Sequence, residues 1–230
     1  MGEVAGPATF VLVHGAGAGG WCWDPIVPLL EARGHRVFAP SLSGLDDPAT
    51  GLDRHGADVV RVLEENDLRG VVLVGHSYGG MPITVAAERA PERLARLVYL
   101  DAFAPRDGQS AFDTRLDLAE ALRGWVEGGL LPPIPPEYAG VETEEQAQLL
   151  RDRLVTTPMR CLEEKVALRS EAAARLPRSY VLCTRSGFGE TAERVRADGW
   201  DYHELDTEHM AMLTAPAATA DLLARIAATG

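Results

Sequence analysis

The sequence predicts an α/β fold in which helices flank a mainly parallel sheet. Short, continuously apolar and β-branched runs, of which Gly70–Gly75 is the clearest, have the pattern of strands buried on both faces. Amphipathic segments separate these runs, and alternating strands and helices are typical of parallel sheets. The 230 residues, of which 46% are hydrophobic, suit one globular domain with a large core.

The alternation runs through the first hundred residues and returns near the end of the chain. The first predicted strands are 9–14, 36–39, 70–75 and 94–100, and the helices between them are 24–33, 52–66 and 78–89. The later predicted strands are 179–183 and 202–205, with helices at 190–197 and 216–228. Because both stretches carry the same pattern, we expect a single core made of residues 1–103 and 177–230.

Residues 104–176 interrupt this pattern. They are polar, favour helix and are broken by the proline run Leu131–Pro136. An insertion between two strands of a continuing sheet predicts a lid subdomain rather than a second independent domain. The proline run fits a stiff connector, with a partner-binding polyproline helix as the alternative.

Charge and cysteine content argue against several classes of function. The formal net charge is −12, from 34 acidic and 22 basic residues, and such a surface repels nucleic acids and anionic membranes. No apolar run reaches the ~18 residues of a spanning helix and no signal-peptide pattern begins the sequence, so we expect a cytoplasmic protein. The cysteines Cys22, Cys161 and Cys183 fit neither a disulfide framework nor a zinc motif. We expect no metal and no cofactor.

The segment Gly75-His76-Ser77-Tyr78-Gly79 has the G-x-S-x-G pattern of a nucleophile elbow. It lies between the predicted strand 70–75 and the predicted helix 78–89, which is the context that this motif requires. The glycines leave room for a strained turn that exposes the serine, and the helix start directs free N–H groups toward developing negative charge. The pattern therefore predicts Ser77 as a nucleophile.

A glycine-rich loop, His14-Gly15-Ala16-Gly17, follows the first predicted strand. Such a loop leaves a backbone N–H free to face the nucleophile, and an oxyanion hole requires two donors. The amides of Ala16 and Tyr78 are the predicted pair. Phosphate binding is not indicated, because the loop has neither a Gly-Lys-Ser/Thr sequence nor a dinucleotide fingerprint. We expect His14 itself to have a structural role.

The general base is expected after the last strand, because the order on a fold with this elbow is serine, acid, histidine. Of the six histidines, His209 lies in the loop that follows the predicted strand 202–205. His203, within that strand, is the alternative. The sequence thus predicts His209 as the base.

These motifs resemble the α/β-hydrolase superfamily, and in particular its branch of plant methyl esterases, hydroxynitrile lyases and bacterial relatives. The segments that carry the resemblance are Phe10–Ala16, Gly20–Trp23, Leu29–His35, Gly75–Gly79, Val98–Phe103 and His209–Leu213. Hydroxynitrile lyases of this branch place a lysine after the catalytic histidine and a threonine after the first-strand histidine. Met210 and Gly15 stand at these positions, so the resemblance implies the α/β-hydrolase fold with esterase activity.

One position departs from the family pattern. The family acid follows the penultimate strand as Thr-x-Asp, and the matching residues here are Thr184-Arg185-Ser186. A serine cannot supply the carboxylate that orients and stabilises the histidine. The resemblance therefore supports the nucleophile, the base and the oxyanion donors, but not the acid at its usual place.

Asp101 is the predicted replacement for this acid. It follows the strand 94–100, which on this fold lies beside the nucleophile strand and opens on the same face. Some haloalkane dehalogenases and lipases of the superfamily resemble this arrangement. In the alternative interpretation Asp101 only caps the first turn of the lid. Further candidate acids are Glu190, Asp206 and Glu208.

The predicted function is hydrolysis of a small, apolar carboxylic ester through an acyl-enzyme, without a cofactor. A pocket beneath the lid is expected to be lined by Trp21, Trp23, Phe103, Trp125 and Met210. Two alternatives stay open: a lyase or cyclase of secondary metabolism on the same fold, and a ligand-binding protein with a degraded site. The expected partner is a small molecule, and the apolar segments of the lid favour a homodimer.

Overall fold

A computed structural model of the chain describes residues 6–229 and contains the predicted parallel sheet. In chain order the strands are β1 (Thr9–Val13), β2 (Arg36–Phe38), β3 (Val71–His76), β4 (Leu94–Leu100), β5 (Leu130–Leu131), β6 (Thr157–Pro158), β7 (Arg178–Cys183) and β8 (Asp201–Leu205). Within residues 6–229 the main sheet has the strand order β2-β1-β3-β4-β7-β8, and its pairings are parallel. The short strands β5 and β6 form a separate antiparallel pair.

The strand order determines where a ligand site can form. From β1 the chain passes to β2 on one side and then crosses to β3 on the other. In open parallel sheets such a reversal leaves a crevice at the carboxyl ends of the strands. β3 lies at this point, and each of its residues is buried.

Helices cover both faces of the sheet. In residues 6–229 the α-helices are α1 (Val27–Glu31), α2 (Leu52–Glu65), α3 (Gly80–Arg89), α4 (Ala111–Thr114), α5 (Leu116–Arg123), α6 (Pro136–Ala139), α7 (Glu144–Arg153), α8 (Met159–Glu163), α9 (Glu171–Ala174), α10 (Gly189–Ala197), α11 (Ala211–Thr214) and α12 (Pro216–Ala227). Short 3-10 turns occupy Gly20–Trp23, Ser77–Gly79 and Pro91–Arg93.

Neighbouring residues of the central strands enter two separate hydrophobic cores, one on each face of the sheet. Val11, Leu73 and Tyr99 belong to the core that includes α2 and α3. Leu12 and Val74 belong to the core that includes α1 and α12. Burial on both faces explains why these strands are apolar throughout instead of alternating with polar residues.

The predicted helices 24–33 and 78–89 begin later than expected. The turn Gly20–Trp23 precedes the first, and only the short helix α1 forms within it. Proline is tolerated only in the first turn of a helix, so Pro28 requires a start close to Val27. The second begins with the turn Ser77–Gly79, and α3 starts only at Gly80.

Residues 104–176 contain α4 to α9 and the pair β5–β6. Their proline run leads from β5 into α6, where Pro136 occupies the first turn. No helix in residues 6–229 is long and apolar enough to cross a membrane. The division into a core and a lid stays a prediction.

Candidate active site

Loops at the carboxyl ends of the strands bring the predicted site residues together. Ser77 follows β3, Asp101 follows β4, and His209 lies in the loop after β8. The loop that contains Ala16 follows β1. Ser77, His209 and Ala16 line one cavity, and Asp101 is hydrogen-bonded to His209. Residues from four separate parts of the sequence therefore meet at the carboxyl end of the sheet.

Ser77 occupies a strained turn. Its φ is +53°, in the left-handed region that non-glycine residues rarely adopt. A Cβ at Gly75 would lie 2.4 Å from the carbonyl oxygen of Gly79, and a Cβ at Gly79 would lie 2.5 Å from that of Val13. Real Cβ atoms do not approach so closely. The turn therefore requires both glycines of the motif.

His209 is held by a short hydrogen bond to a buried aspartate. Its Nδ1 lies 2.5 Å from Oδ2 of Asp101, whose side chain has no exposed surface. The His209 ring stacks on Phe188, with 5.4 Å between the ring centroids and 7° between the planes. Because Nδ1–H donates to the carboxylate, Nε2 is the nitrogen that remains for the cavity.

The second carboxylate oxygen of Asp101 is bound from the loop after β7. Oδ1 accepts a hydrogen bond from the Ser186 hydroxyl at 2.7 Å and another from the Cys183 N–H at 3.1 Å. The φ of Asp101 is +46°, in a region that aspartate tolerates better than most residues. Ser186, at the position where the family acid usually stands, thus contacts the carboxylate that binds His209.

His76 connects the elbow to the loop that carries His209. Burial lowers the pKa of His76 well below its usual value, so its ring is neutral at neutral pH. The Nε2–H of His76 donates to the backbone carbonyl of His209 at 2.9 Å. Sequence analysis missed this contact because it joins residues 133 positions apart.

The loop after β1 passes directly over the nucleophile. A Cβ at Gly15 would lie 3.0 Å from Cβ of Ser77, so the neighbouring Ala16 lies close to the serine. His14 supports this loop, since its Nδ1–H donates to the Gly15 carbonyl at 2.8 Å and its Nε2 accepts from the Leu42 N–H at 2.9 Å. Burial lowers the pKa of His14 to about 4. These contacts suit the structural role expected for His14.

A cavity of about 700 Å³ opens beside Ser77 and His209. Of the predicted pocket residues, Phe103, Trp125 and Met210 line it. Much of its wall consists of apolar side chains from residues 104–176, which include Leu118, Leu122, Leu131, Ile134, Leu150 and Leu154. A concave, mostly apolar cavity next to polar groups is typical of small-molecule sites.

Trp21 and Trp23 do not line this cavity, which corrects the expectation for these two residues. Both belong to the tight turn Gly20–Trp23 rather than to a helix that faces the site. Trp23 is fully buried in the core and meets His76 edge to face, with 6.4 Å between the centroids. Trp21 lies against the guanidinium of Arg153, 5.4 Å from the ring centroid.

Charged side chains also reach the cavity wall, and Arg115, Arg185 and Glu208 have partners of opposite charge. The charged residues of the wall are Arg115, Glu137, Arg185 and Glu208. Arg115 forms a bidentate pair with Asp117 and lowers the pKa of that carboxyl to about 2. The guanidinium carbon of Arg115 lies 4.9 Å from the centre of the Phe188 ring. Arg115 thereby supports the aromatic ring on which His209 stacks.

This combination of a parallel sheet, a serine elbow and a late histidine belongs to a known class. Residues 10–222 match the alpha/beta hydrolase family, and the chain is a member of that family. The carbendazim hydrolyzing esterase of Nocardioides sp. (strain SG-4G) is 35% identical over 212 residues, covering 84% of this chain and 81% of that protein. Methylesterase 2 of Arabidopsis thaliana is 28% identical over 99% of this chain and 98% of its own length.

A solved structure gives the same result. An extracellular alpha/beta-hydrolase from a Paenibacillus species superposes with a TM-score of 0.83 at 29% identity, covering 95% of this chain and 98% of that one. Family membership confirms the predicted α/β-hydrolase fold. The esterases among the relatives confirm the predicted class of activity, that of a carboxylic ester hydrolase.

Proposed function

We propose that the chain is a cofactor-free serine carboxylesterase that hydrolyses small, largely apolar esters through an acyl-enzyme. Ser77 is the nucleophile, His209 the general base and Asp101 the acid. The observation that carries the proposal is the 2.5 Å hydrogen bond between His209 Nδ1 and the buried Asp101, beside a strained serine turn. A buried aspartate that orients a histidine next to a serine is the arrangement of serine hydrolases.

The chemistry proceeds in two similar steps. His209 Nε2 takes the proton of Ser77 as Oγ attacks the ester carbonyl carbon. The carbonyl oxygen becomes an oxyanion, which the N–H groups of Ala16 and Tyr78 stabilise. The ester C–O bond then breaks, and His209 gives the proton to the departing alcohol. Water attacks the acyl-enzyme by the same route, and the carboxylic acid leaves as Ser77 regains its proton.

Asp101 has two tasks in this scheme. Its carboxylate holds His209 in the tautomer that leaves Nε2 free, and it stabilises the imidazolium that forms in each step. Because Asp101 is buried, water screens its charge only weakly. The groups on its second oxygen, the Ser186 hydroxyl and the Cys183 N–H, are both donors, as an ionised carboxylate requires.

The cavity supports the choice of ester. Its apolar wall, with Trp125, Phe103 and Met210, suits an uncharged acyl or alcohol group. Residues 104–176 form the lid over this cavity in our proposal. The names of the relatives suggest carbendazim and methyl esters as candidate substrates.

A substrate panel combined with a serine probe tests the proposal. The panel contains p-nitrophenyl esters of increasing acyl length, methyl esters of aromatic acids, carbendazim, and one p-nitrophenyl ester with a terminal carboxylate as the matched charged control. We expect turnover of the neutral esters, weaker turnover of the charged one, and labelling by a fluorophosphonate. Labelling without turnover favours the lyase or cyclase alternative. Absence of both favours the ligand-binding protein with a degraded site.

A cytoplasmic homodimer completes the proposal. The support for the dimer lies in residues 104–176, where Leu116 and Tyr138 are 69% and 67% exposed although both are large and hydrophobic. Exposed apolar side chains of this kind mark interaction surfaces when they are grouped. Light scattering after size-exclusion chromatography measures the mass, and a value near the 24.7 kDa of one chain would contradict the dimer.

A further inference from the structure

We propose that Ser186 is a positioning residue of this site: its hydroxyl fixes the Asp101 carboxylate, which in turn orients His209. The inference rests on the proposed function, and it adds a residue outside the set of serine, histidine and acid. Ser186 stands where the family acid is usually found. In this chain the position has kept a role beside the histidine, although the carboxylate itself comes from another strand.

The Ser186 hydroxyl lies at the centre of a short chain of hydrogen bonds. It donates to Oδ1 of Asp101 at 2.7 Å and accepts from the N–H of Phe188 at 3.2 Å. The Ser186 N–H donates to the carbonyl of Cys183 at 3.0 Å, which closes the turn after β7. Since the Phe188 ring stacks on His209, one hydroxyl connects the acid with the ring that supports the base.

The Ser186 hydroxyl makes the shorter of the two bonds to Oδ1 of Asp101. Among the described residues, the other donor to Oδ1 is the Cys183 N–H, at the longer distance of 3.1 Å. The Asp101 backbone is tied to β7, since its N–H donates to the Val181 carbonyl at 2.7 Å, and its φ of +46° turns the residue out of strand geometry. The direction of the carboxylate is set by the hydrogen bonds that its own oxygens make. Without the Ser186 hydroxyl, rotation of the carboxylate would lengthen the short bond to His209.

The charges around the pair make the effect measurable by pH. Tyr180 and Cys183 face Asp101, and burial raises the pKa of each, so both are uncharged near neutral pH. His76 faces His209 and is neutral because burial lowers its pKa. The remaining charged groups of the cavity wall are Arg115, Glu137, Arg185 and Glu208. The Asp101 carboxylate is thus the charge nearest to the His209 proton, so the direction in which it is held decides how strongly it stabilises that proton.

The test measures the rate at which a fluorophosphonate labels Ser77, between pH 4 and 9, in the full chain and three variants. Ser186→Ala should slow labelling about ten- to a hundredfold, the range expected for a lost hydrogen bond to a charged group. It should also move the acid midpoint of the rate to lower pH, because a carboxylate turned away from Nδ1 stabilises the histidine proton less. Ser186→Thr keeps the hydroxyl and should restore most of the rate together with the wild-type midpoint.

Ser170→Ala is the matched control, because that serine hydroxyl only caps α9 by accepting from the Ala173 N–H at 3.1 Å. It should label like the unaltered chain. Wild-type labelling with an unchanged rate and midpoint in Ser186→Ala would overturn the inference alone. Equal losses in Ser186→Ala and Ser186→Thr, with an unmoved midpoint, would also overturn it, because the role would then be structural. If the unaltered chain is not labelled at all, the proposed function fails and the inference fails with it.

Discussion

The loops at the carboxyl end of the main sheet and residues 116–138 hold their side chains in different ways. At the carboxyl end of the sheet, Ser77 and Asp101 adopt left-handed backbone conformations, and partly buried hydrogen bonds join Asp101, His209, Ser186 and His76. Within residues 6–229, the stretch 116–138 makes no hydrogen bond to residues 6–103 or 177–229. It contributes Leu118, Leu122 and Trp125 to the cavity by apolar contact instead.

The part of the insertion that follows is attached more firmly. The Val155 N–H donates to the Gly17 carbonyl at 2.8 Å, and Gln146 Nε2 donates to the Leu213 carbonyl at 2.9 Å. A Cβ at Gly140 would lie only 2.8 Å from the backbone nitrogen of His209. The proposed reacting groups are thus held by hydrogen bonds at the carboxyl end of the sheet, whereas apolar side chains of residues 116–138 form part of the cavity wall. Substitutions at the carboxyl end of the sheet should therefore alter kcat, and substitutions of cavity-lining residues in 116–138 should alter KM.

The largest effect is expected from the acid. Asp101→Asn keeps the shape and the tolerance for positive φ but removes the charge, so kcat should fall by about 10⁴-fold, as it does when the triad acid is lost in serine proteases. Steady-state kinetics on a p-nitrophenyl ester measures this loss. Asp67→Asn is the control, since Asp67 also has a positive φ, of 43°, but an exposed side chain that is not among the residues lining the cavity. Equal activity in both variants would show that Asp101 is not the catalytic acid.

The next effect follows from the contact between Asp101 and Ser186. In the Asp101→Asn background, Ser186→Asp returns a carboxylate to the usual family position, next to the same histidine. We expect this double variant to regain about 100-fold of the lost kcat. Ser186→Asp alone serves as the comparison and should gain nothing, because two adjacent carboxylates repel each other. A gain in the single variant would indicate that the unaltered chain has no working acid.

The free energy of unfolding should depend on pH through His14, which lies in the loop after β1. Its folded pKa of about 4 lies below the ordinary 6.5, so the unfolded chain binds the proton first as the pH falls. Stability from this group is complete above pH 6.5 and is lost between pH 6.5 and 4, by about 3 kcal/mol. Urea unfolding across this range measures the slope. His14→Gln should make the slope shallower, with a remainder from other buried histidines such as His76, whose pKa is also lowered by burial. An unchanged slope would show that His14 does not contribute to this dependence.

The smallest effect is expected in the apolar wall. Trp125→Ala removes an aromatic surface from the cavity, and KM for an aromatic ester should rise about three- to tenfold while kcat changes little. Trp200→Ala is the matched control, because that ring packs against Tyr99 in the core, with 4.9 Å between centroids. A loss of kcat rather than a rise in KM for Trp125→Ala would contradict the expectation that residues 116–138 act on substrate binding alone.

Local pattern predicted most of the strands and singled out Ser77, whereas the choice of His209 followed from the expected order of the triad and that of Asp101 from the family resemblance. Apolar runs identify buried strands, and a serine between glycines after such a run identifies an elbow, so both can be recognised without a structure. Pattern did not predict the placement of Trp21 and Trp23, because the packing of a tight turn depends on the core around it. It also did not predict the bonds of His76 and Ser186, which join residues 133 and 85 positions apart.

The proposed mechanism requires that Ser77 is a nucleophile and that His209 activates it. Mass spectrometry of the chain after treatment with a fluorophosphonate tests this claim most directly, since it counts the adducts and assigns the modified residue. We expect one adduct on Ser77 in the unaltered chain, none in Ser77→Ala, and much slower labelling in His209→Ala because an unactivated serine is a weak nucleophile. An adduct on another residue, or undiminished labelling in Ser77→Ala, would contradict it.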